Sequence, residues 1–465
     1  MEWQTNWEGP LQSYLQRFDG LLRDARTRQT FQESIKGIMA AGTLICQRIA
    51  ACSPLLSKAK DGAQRILRLA TGESRKRSQV DAEHLTAQLR EVALEQLAQA
   101  PEDELWLIAD GSDLRKPYAE AMPALMQVRD LEGKLVPGYR TLNVLGVTPG
   151  RRGILYHRLF SSEEAGFVSE PAEVQQALAT VSQAVAALRQ RMHITWILDS
   201  GFDDSAVWRT IWENQDHVVC RVYHSDRLVE FQDRAGQWQH GNIAQACTQL
   251  RPIARAETSL EVQRGKQACP KKQPVVVDLS ACPLRLSYWS NVRRPGGKGQ
   301  LVTKRVWLVQ VVVRGTNWEP WLLLTDWPVE NEQQAVRIFA MYRQRWAVED
   351  SFKVTKECLG WEEVQVLDLR GIRTLVAMAW VAAGFLYQLG VTLEWAEVQL
   401  LAKLGGWVPH KDRRPGKITL MRGLRRLLDM LATQAILTEA ATQQGGLPPN
   451  ILTFLQGWKP PQLDL

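Results

Sequence analysis

Apolar positions in this chain switch repeatedly between helical and strand spacing. Up to about residue 100 they recur at helical spacing, as in LQSYLQRFDGLLRDA, FQESIKGIMAAGTLICQRIA and AEHLTAQLREVALEQLAQA, with breaks at Ser53-Pro54 and near Gly72. From Leu105 the pattern becomes short continuous apolar runs: ELWLIAD, then ALMQVRD and KLVPGYRTLNVLGVTPG around a Glu132-Gly133 turn, then ILYHRLFS. Continuous runs suit strands buried on both faces. A long amphipathic segment, EPAEVQQALATVSQAVAALRQRM, predicts a helix, followed by a strand in HITWILD, a helix in AVWRTIWENQ and a strand in HVVCRVYH. Residues 225–326 are too many for a loop. They predict an inserted β-rich subdomain through PVVVDLS, LRLSYWSNVR, a Gly296 to Gly299 turn, TKRVWLVQVVVRG and PWLLLTD. Beyond Gly390 the helical period returns.

One segment breaks the usual rule for a buried helix. In AMYRQRWAVEDSFKVTKECLGW, the offsets of Tyr342, Arg345, Glu349 and Lys356 fall within about 60° at 100° per residue, a stripe continued by Ile338 and Phe352. A globular helix turns such a stripe to its core, and buried charge is costly unless paired or metal-bound. The stripe is therefore a candidate active-site wall; an exposed helix with Arg/Glu pairing is the competing reading. Two aspartates end apolar runs upstream, Asp110 after ELWLIA and Asp199 after HITWIL. Ligands collect at the carboxyl ends of buried strands, although DGSD and DSGFDD are also good turn sequences. Asp113, Asp203, Asp204 and Asp350 compete nearby, but none directly ends an apolar run or falls at the Glu349 position.

A formal net charge of +7 across 465 residues favours a polyanionic partner. Charge alone does not separate nucleic acid from an anionic membrane surface. No signal peptide and no run of 18 apolar residues is present, so no membrane partner is expected, and LVAMAWVAAGFLYQLG reads as a buried helix. The seven cysteines, Cys46, Cys52, Cys220, Cys247, Cys269, Cys282 and Cys358, show no zinc spacing and read as reduced and intracellular. Most of the 18 tryptophans should be packing residues, with a minority left to stack on bases.

The spacing Tyr-x2-Arg-x3-Glu-x6-Lys, within YRQRW, resembles the signature of cut-and-paste DDE transposases of the insertion-sequence-four family. The resemblance covers residues from about Leu105 to Gly390. It implies an α/β fold, an RNase H-like catalytic core with an inserted β subdomain between helical N- and C-terminal domains. The corresponding segments are a DNA-binding domain at 1–100, the core at 101–224 and 327–392, the insertion at 225–326, and a dimerisation and DNA-contact region at 393–465. Asp110, Asp199 and Glu349 become the catalytic acids, holding two Mg²⁺ ions for which Mn²⁺ substitutes. Three carboxylates leave room for water and phosphate around such ions, and two ions roughly 3.5–4 Å apart can serve both the attacking and the leaving oxygen. Arg345 and Lys356 would hold DNA phosphates, as would Tyr342 through its hydroxyl, with Arg221 as a weaker candidate. Trp321 and Trp346 match tryptophans that engage a flipped base, although Trp321 also reads as packing for the inserted sheet.

The resemblance further implies nicking, hairpin formation, hairpin opening and strand transfer by a homodimer on paired ends. Its partners are then duplex DNA with terminal inverted repeats and a target DNA, in a cytoplasmic, nucleoid-associated setting. Two other readings share these features: a structure-selective nuclease of the same fold, and a catalytically inactive DNA-binding derivative. Basic residues in the link Glu73, Ser74, Arg75, Lys76, Arg77 and in the row Lys411, Arg413, Arg414, Lys417, Arg422, Arg425, Arg426 are candidate phosphate contacts or solvated surface.

Overall fold

A computed structural model describes residues 8–53, 55, 59–72, 80–262, 271–290, 300–408 and 414–444. The Glu73 to Arg77 link, Cys269, the Gly296 to Gly299 turn, Lys411 and Arg413 lie outside the described residues. The chain sorts into two compact units, one taking in residues up to Leu85, Ala121–Pro123 and the chain from Lys353, the other Thr86–Glu120 and Ala124–Phe352. The first is helical and the second is built on a sheet. The segment 327–392, read from sequence as one part of the core, is divided between them at Lys353.

The helical unit begins with α1 (Glu8–Gln16), α2 (Ala25–Ala41), α3 (Cys46–Ala51) and α4 (Ala59–Thr71). Asp24 caps α2 by accepting from the Thr27 N–H, and Gly42 ends it in the left-handed region at φ 64°. The chain leaves along α5 (Ala82–Ala98) and enters the sheet unit.

Its strands are β1 (Glu104–Arg115), β2 (Met126–Arg129), β3 (Leu135–Thr148), β4 (Arg151–Phe160), β5 (His193–Leu198) and β6 (His217–Arg221). Helix α6 (Glu170–Ala184) separates β4 from β5, and α7 (Ser205–Glu213) separates β5 from β6. Strands β4, β3 and β1 pair antiparallel, whereas β5 is parallel to β1 and β6 is parallel to β5. The parallel strands are buried along Leu107–Ala109, Ile194–Leu198 and Val218–Cys220, which accounts for their unbroken apolar character. Helix α5 lies so close to β3 and β4 that a Cβ on Gly153 would stand 2.5 Å from Ala93 Cβ, and one on Gly146 would stand 2.6 Å from Leu97 Cδ1.

The inserted β-rich residues 225–326 continue the same sheet. After β7 (Leu228–Gln232), β8 (Trp238–Asn242), the short α8 (Ile243–Cys247), β9 (Arg251–Val262), β10 (Lys271–Trp289) and β11 (Leu301–Val313), strand β12 (Trp321–Thr325) pairs with both β11 and β6. The result is one mixed sheet of twelve strands. An unpaired β6 edge would expose a row of N–H and C=O groups, and β12 covers it. One apolar core accordingly runs from Leu105 on β1 to Leu308 on β11. The unit closes with α9 (Glu332–Arg343) and α10 (Trp346–Lys353).

Back in the helical unit, α11 (Leu369–Thr392) is followed by α12 (Trp395–Leu404) and α13 (Lys417–Gln444). Helix α11 is long and apolar enough to cross a membrane by length and composition. Every residue from Thr374 to Tyr387 is nonetheless buried, and Tyr14 donates from its hydroxyl to the Val381 carbonyl at 2.8 Å, as in a core helix. Part of the basic row on α13 is occupied structurally. Arg425 donates to the Met39 and Cys358 carbonyls, Arg426 donates to Leu404, and Lys417 lies 5.9 Å from the Tyr387 ring.

A buried ion pair fixes α6 and the following turn against β5 and β6. Asp216 has a fully buried side chain and accepts from Arg189 Nε and Nη2 at 2.6 and 2.7 Å and from Trp196 Nε1 at 3.2 Å. Removing one partner of such a pair strands the other charge. Asp216→Ala should therefore lower stability by about 3 kcal/mol or more in urea denaturation. A loss below about 1 kcal/mol, the level of a surface pair, would show that this contact does not hold the unit together.

Candidate active site

Asp110 and Asp199 are set level by the parallel ladder. Its last rung joins Ala109 to Leu198, so both acids are the next residue on neighbouring strands. The sequence placed each at a strand end, which is correct only for Asp199. Strand β1 runs on to Arg115 by pairing with β3 alone, and Asp110 sits inside it opposite Asn143. The pairing with β5 ends at Ala109, one residue before Asp110, while β1 continues on β3. Asp110 Oδ1 accepts from the Gly111 N–H and Asp199 Oδ1 from the Gly201 N–H, each at 2.8 Å.

The four competing acids have structural partners. Asp203 holds the Tyr223–Arg227 loop, Asp204 accepts from the Ala206 N–H to cap α7, Asp113 pairs with Arg140, and Asp350 pairs with Arg152.

Glu349 arrives on a helix that is not continuous. The single stripe from Tyr342 to Lys356 required one α-helix, but α9 stops at Arg343 and α10 starts at Trp346. Between them Gln344, Arg345, Ala347 and Val348 donate three residues back, to Met341, Tyr342, Gln344 and Arg345. This tighter winding resets the helical phase. A π-helical turn at Val354–Cys358 shifts the phase again before Lys356 is reached. The break places the Arg345 guanidinium between two of the acids: Nη2 is 2.5 Å from Glu349 Oε1, and Nη1 is 3.4 Å from Asp110 Oδ2.

The electrostatics of Asp110 reflect its burial first and the neighbouring acids second. Burial first, then the Asp199 charge, push its carboxyl up to about 7, with a further push from Glu349, while Arg345 and the Gly111 N–H pull it down. Asp110 thus feels the charge of both other acids, and the Arg345 guanidinium bonds to Asp110, which is 16% exposed, and to Glu349, which is 43% exposed. Among the described residues, no three His, Cys, Asp or Glu side chains already stand as a metal cluster. The set fits a hard divalent cation in kind and in charge, being all carboxylate oxygen and under-neutralised. As the side chains stand, Arg345 supplies the positive charge there.

No protein-family model and no curated protein matches the chain. Among solved structures it has a distant likeness to piggyBac transposase in a cryo-EM structure of a synaptic complex with hairpin DNA. That likeness spans 99% of this chain and 84% of that one, at 11% identity and a TM-score of 0.40. At that level it assigns no role to any residue.

The remaining site residues are distributed unevenly. Tyr342 is buried, and burial pushes its hydroxyl up to about 12, against the pull of Arg345 and then Arg221. Arg221, the last residue of β6, pairs in register with Leu323 and is half-buried. Trp321 is 9% exposed, with ring centroids 5.9 Å from Tyr342 and 6.3 Å from Trp318, Phe339 and Trp346. Trp346 is half-buried. Lys356 belongs to the helical unit, where it pairs with Glu362 at 3.6 Å.

A polar support beside Asp110 went unread in the sequence. Fully buried Asn143 accepts from His157 Nδ1 at 2.7 Å and donates to Thr141 Oγ1 at 3.1 Å, and Thr141 in turn donates to the Ser112 carbonyl at 2.9 Å. The available signal was an asparagine inside the otherwise apolar run TLNVLGV.

The raised Asp110 carboxyl has a consequence for stability. Its folded-state value, about 7, lies above its ordinary 3.8, so the folded protein holds the proton more tightly than the unfolded chain. That contribution is complete below about pH 4 and is lost as pH rises towards 7. Asp110→Asn removes the ionisation. In chelator, its melting temperature relative to the parent should therefore climb between pH 4 and 7 and level off above. A difference that does not vary with pH would place Asp110 in an ordinary solvated environment.

Proposed function

We propose that this chain is a cut-and-paste DNA transposase of the DDE type with an RNase H-like core. The observation that carries the reading is the level placement of Asp110 and Asp199 on adjacent parallel strands, with Glu349 joined to Asp110 through Arg345. The order β4-β3-β1-β5-β6, three antiparallel strands followed by two parallel ones, supports the core assignment. The sequence spacing around Glu349 and the net charge of +7 support DNA as substrate.

Asp110, Asp199 and Glu349 would hold Mg²⁺, or Mn²⁺ in its place, which when bound polarises a scissile phosphate and activates water or a 3′-hydroxyl. No side chain then has to serve as nucleophile. Arg345, with its forked donors, would exchange carboxylate partners for phosphate oxygens. Arg221 and the Tyr342 hydroxyl would take neighbouring phosphate oxygens, and Lys356 would hold another. Trp346 would meet a displaced base, with Trp321 behind it in the aromatic cluster. Action as a homodimer on paired inverted-repeat ends, through hairpin intermediates, belongs to the same proposal.

The decisive assay incubates the protein with genomic fragments and Mg²⁺ and maps new 3′ ends. Clustering at inverted repeats is expected; scattered cuts at branched or flapped DNA would indicate a structure-selective nuclease instead. Asp199→Asn should abolish Mg²⁺-dependent cutting while leaving DNA binding nearly intact, and substantial residual cutting would remove Asp199 from the acids. Arg345→Gln takes away the counter-charge of Asp110 and Glu349. In the absence of DNA it should bind Mn²⁺ more tightly than the parent, read by electron paramagnetic resonance. Equal or weaker binding would contradict the exchange role of Arg345.

A further inference from the structure

Beside the acids the sheet unit carries a rigid loop that presents an exposed aromatic ring. Asp203, whose side chain is 1% exposed, accepts from the Tyr223 and His224 N–H groups at 2.6 and 2.8 Å and from Arg227 Nη2 at 2.6 Å. Arg227 lies 4.4 Å over the Trp208 ring, and the loop is tied further where Ala244 donates to Ser225 and Ile243 donates to Arg227. Tyr223 is nevertheless 72% exposed, with His224 set edge-on to its ring at 5.1 Å and 86°. Ordering a backbone costs conformational entropy. Here a buried carboxylate and several backbone bonds hold a loop whose Tyr223 and His224 side chains are exposed.

The loop lines an open cavity of about 570 Å³ together with Ser200, Gly201 and Ser205, within the roughly 300–1,000 Å³ range of small-ligand clefts. Ser200 and Gly201 belong to the turn that Asp199 caps, so the cavity adjoins the acids. Its charge selects what can enter. Asp203 and Asp204 also line it, and Arg227 is already bound to Asp203, so a phosphate would meet net negative charge. A neutral planar group would meet the Tyr223 ring and serine hydroxyls. Resting on the transposase reading, we infer that Tyr223, braced by His224, is a stacking platform for a nucleobase next to the scissile phosphate. Tyr223 is thereby a positioning residue of the DNA.

The test uses the full chain and duplexes that it cuts, with 5-iodouracil placed one position at a time around the cleaved bond in Ca²⁺. One arm carries the label in the element end and the other in target DNA, so the photo-crosslinked strand tells which DNA supplies the base. A crosslink to the peptide containing Tyr223 is expected in one arm. Tyr223→Ala should slow the corresponding step, cutting or joining, by roughly tenfold at unchanged melting temperature, and Tyr223→Phe should restore it. Crosslinks mapping only elsewhere, or full activity in Tyr223→Ala, would overturn the platform while leaving the transposase reading intact. A parent protein that cuts no duplex would overturn both.

Discussion

The candidate site in the sheet unit is organised around one carboxyl, Asp110, that is buried and has like charges beside it. Carboxylates from β1, the end of β5 and α10 lie near one another, and burial first, then the Asp199 charge, raise the carboxyl of Asp110. A fold does not gather like charges without something to offset them. In this structure the offset is the forked guanidinium of Arg345, 16% exposed and bonded to two of the three acids. On the proposed reading, a cation that enters would share or displace that guanidinium. Charge at this site is thereby coupled to whatever draws Arg345 away.

The scaffold achieves the convergence by interruptions in regular structure. The β1/β5 ladder stops one rung short of Asp110 and Asp199, while β1 continues on β3, so one acid rests on a strand that stays paired on its other side. The helical path breaks at Gln344 and Arg345, which turns the guanidinium towards Asp110 and still lets Glu349 reach it four residues later. Beneath the break, Trp321, Phe339, Tyr342 and Trp346 form one aromatic cluster. That cluster anchors β12 to α9 and α10, and through β12 joins the inserted strands to β6. The insertion therefore supports the wall that carries Arg345 and Glu349 as an extension of the sheet.

Much of the local structure was legible in the chain. Apolar runs located β1, β5 and β6 because strands buried on both faces have no polar alternation to hide them, and those runs led directly to Asp110 and Asp199. The features that were not legible depend on partners distant in sequence. Nothing in ELWLIADGSDLR says that β3 will carry the strand past Asp110, and nothing in YRQRW marks the tighter turn, since every residue there tolerates a helix. The same holds for β12 closing the edge of β6, for Asn143 opposite Asp110, and for Asp203, which reads as turn chemistry until its bonds to Tyr223, His224 and Arg227 are seen. Lys356 shows the limit of periodicity: a stripe drawn at 100° per residue does not survive a helix break and a π turn.

The central claim is that Asp110, Asp199 and Glu349 bind one and the same cation centre. Iron-mediated backbone cleavage tests it directly. Fe²⁺ is loaded in place of Mg²⁺ with ascorbate and peroxide, and the cut peptides are mapped. The account predicts cuts confined to β1 around Asp110, the turn after Asp199 and α10 around Glu349, all suppressed together by excess Mg²⁺. Cuts at only one of these segments, or at places unrelated to them, would contradict a shared centre.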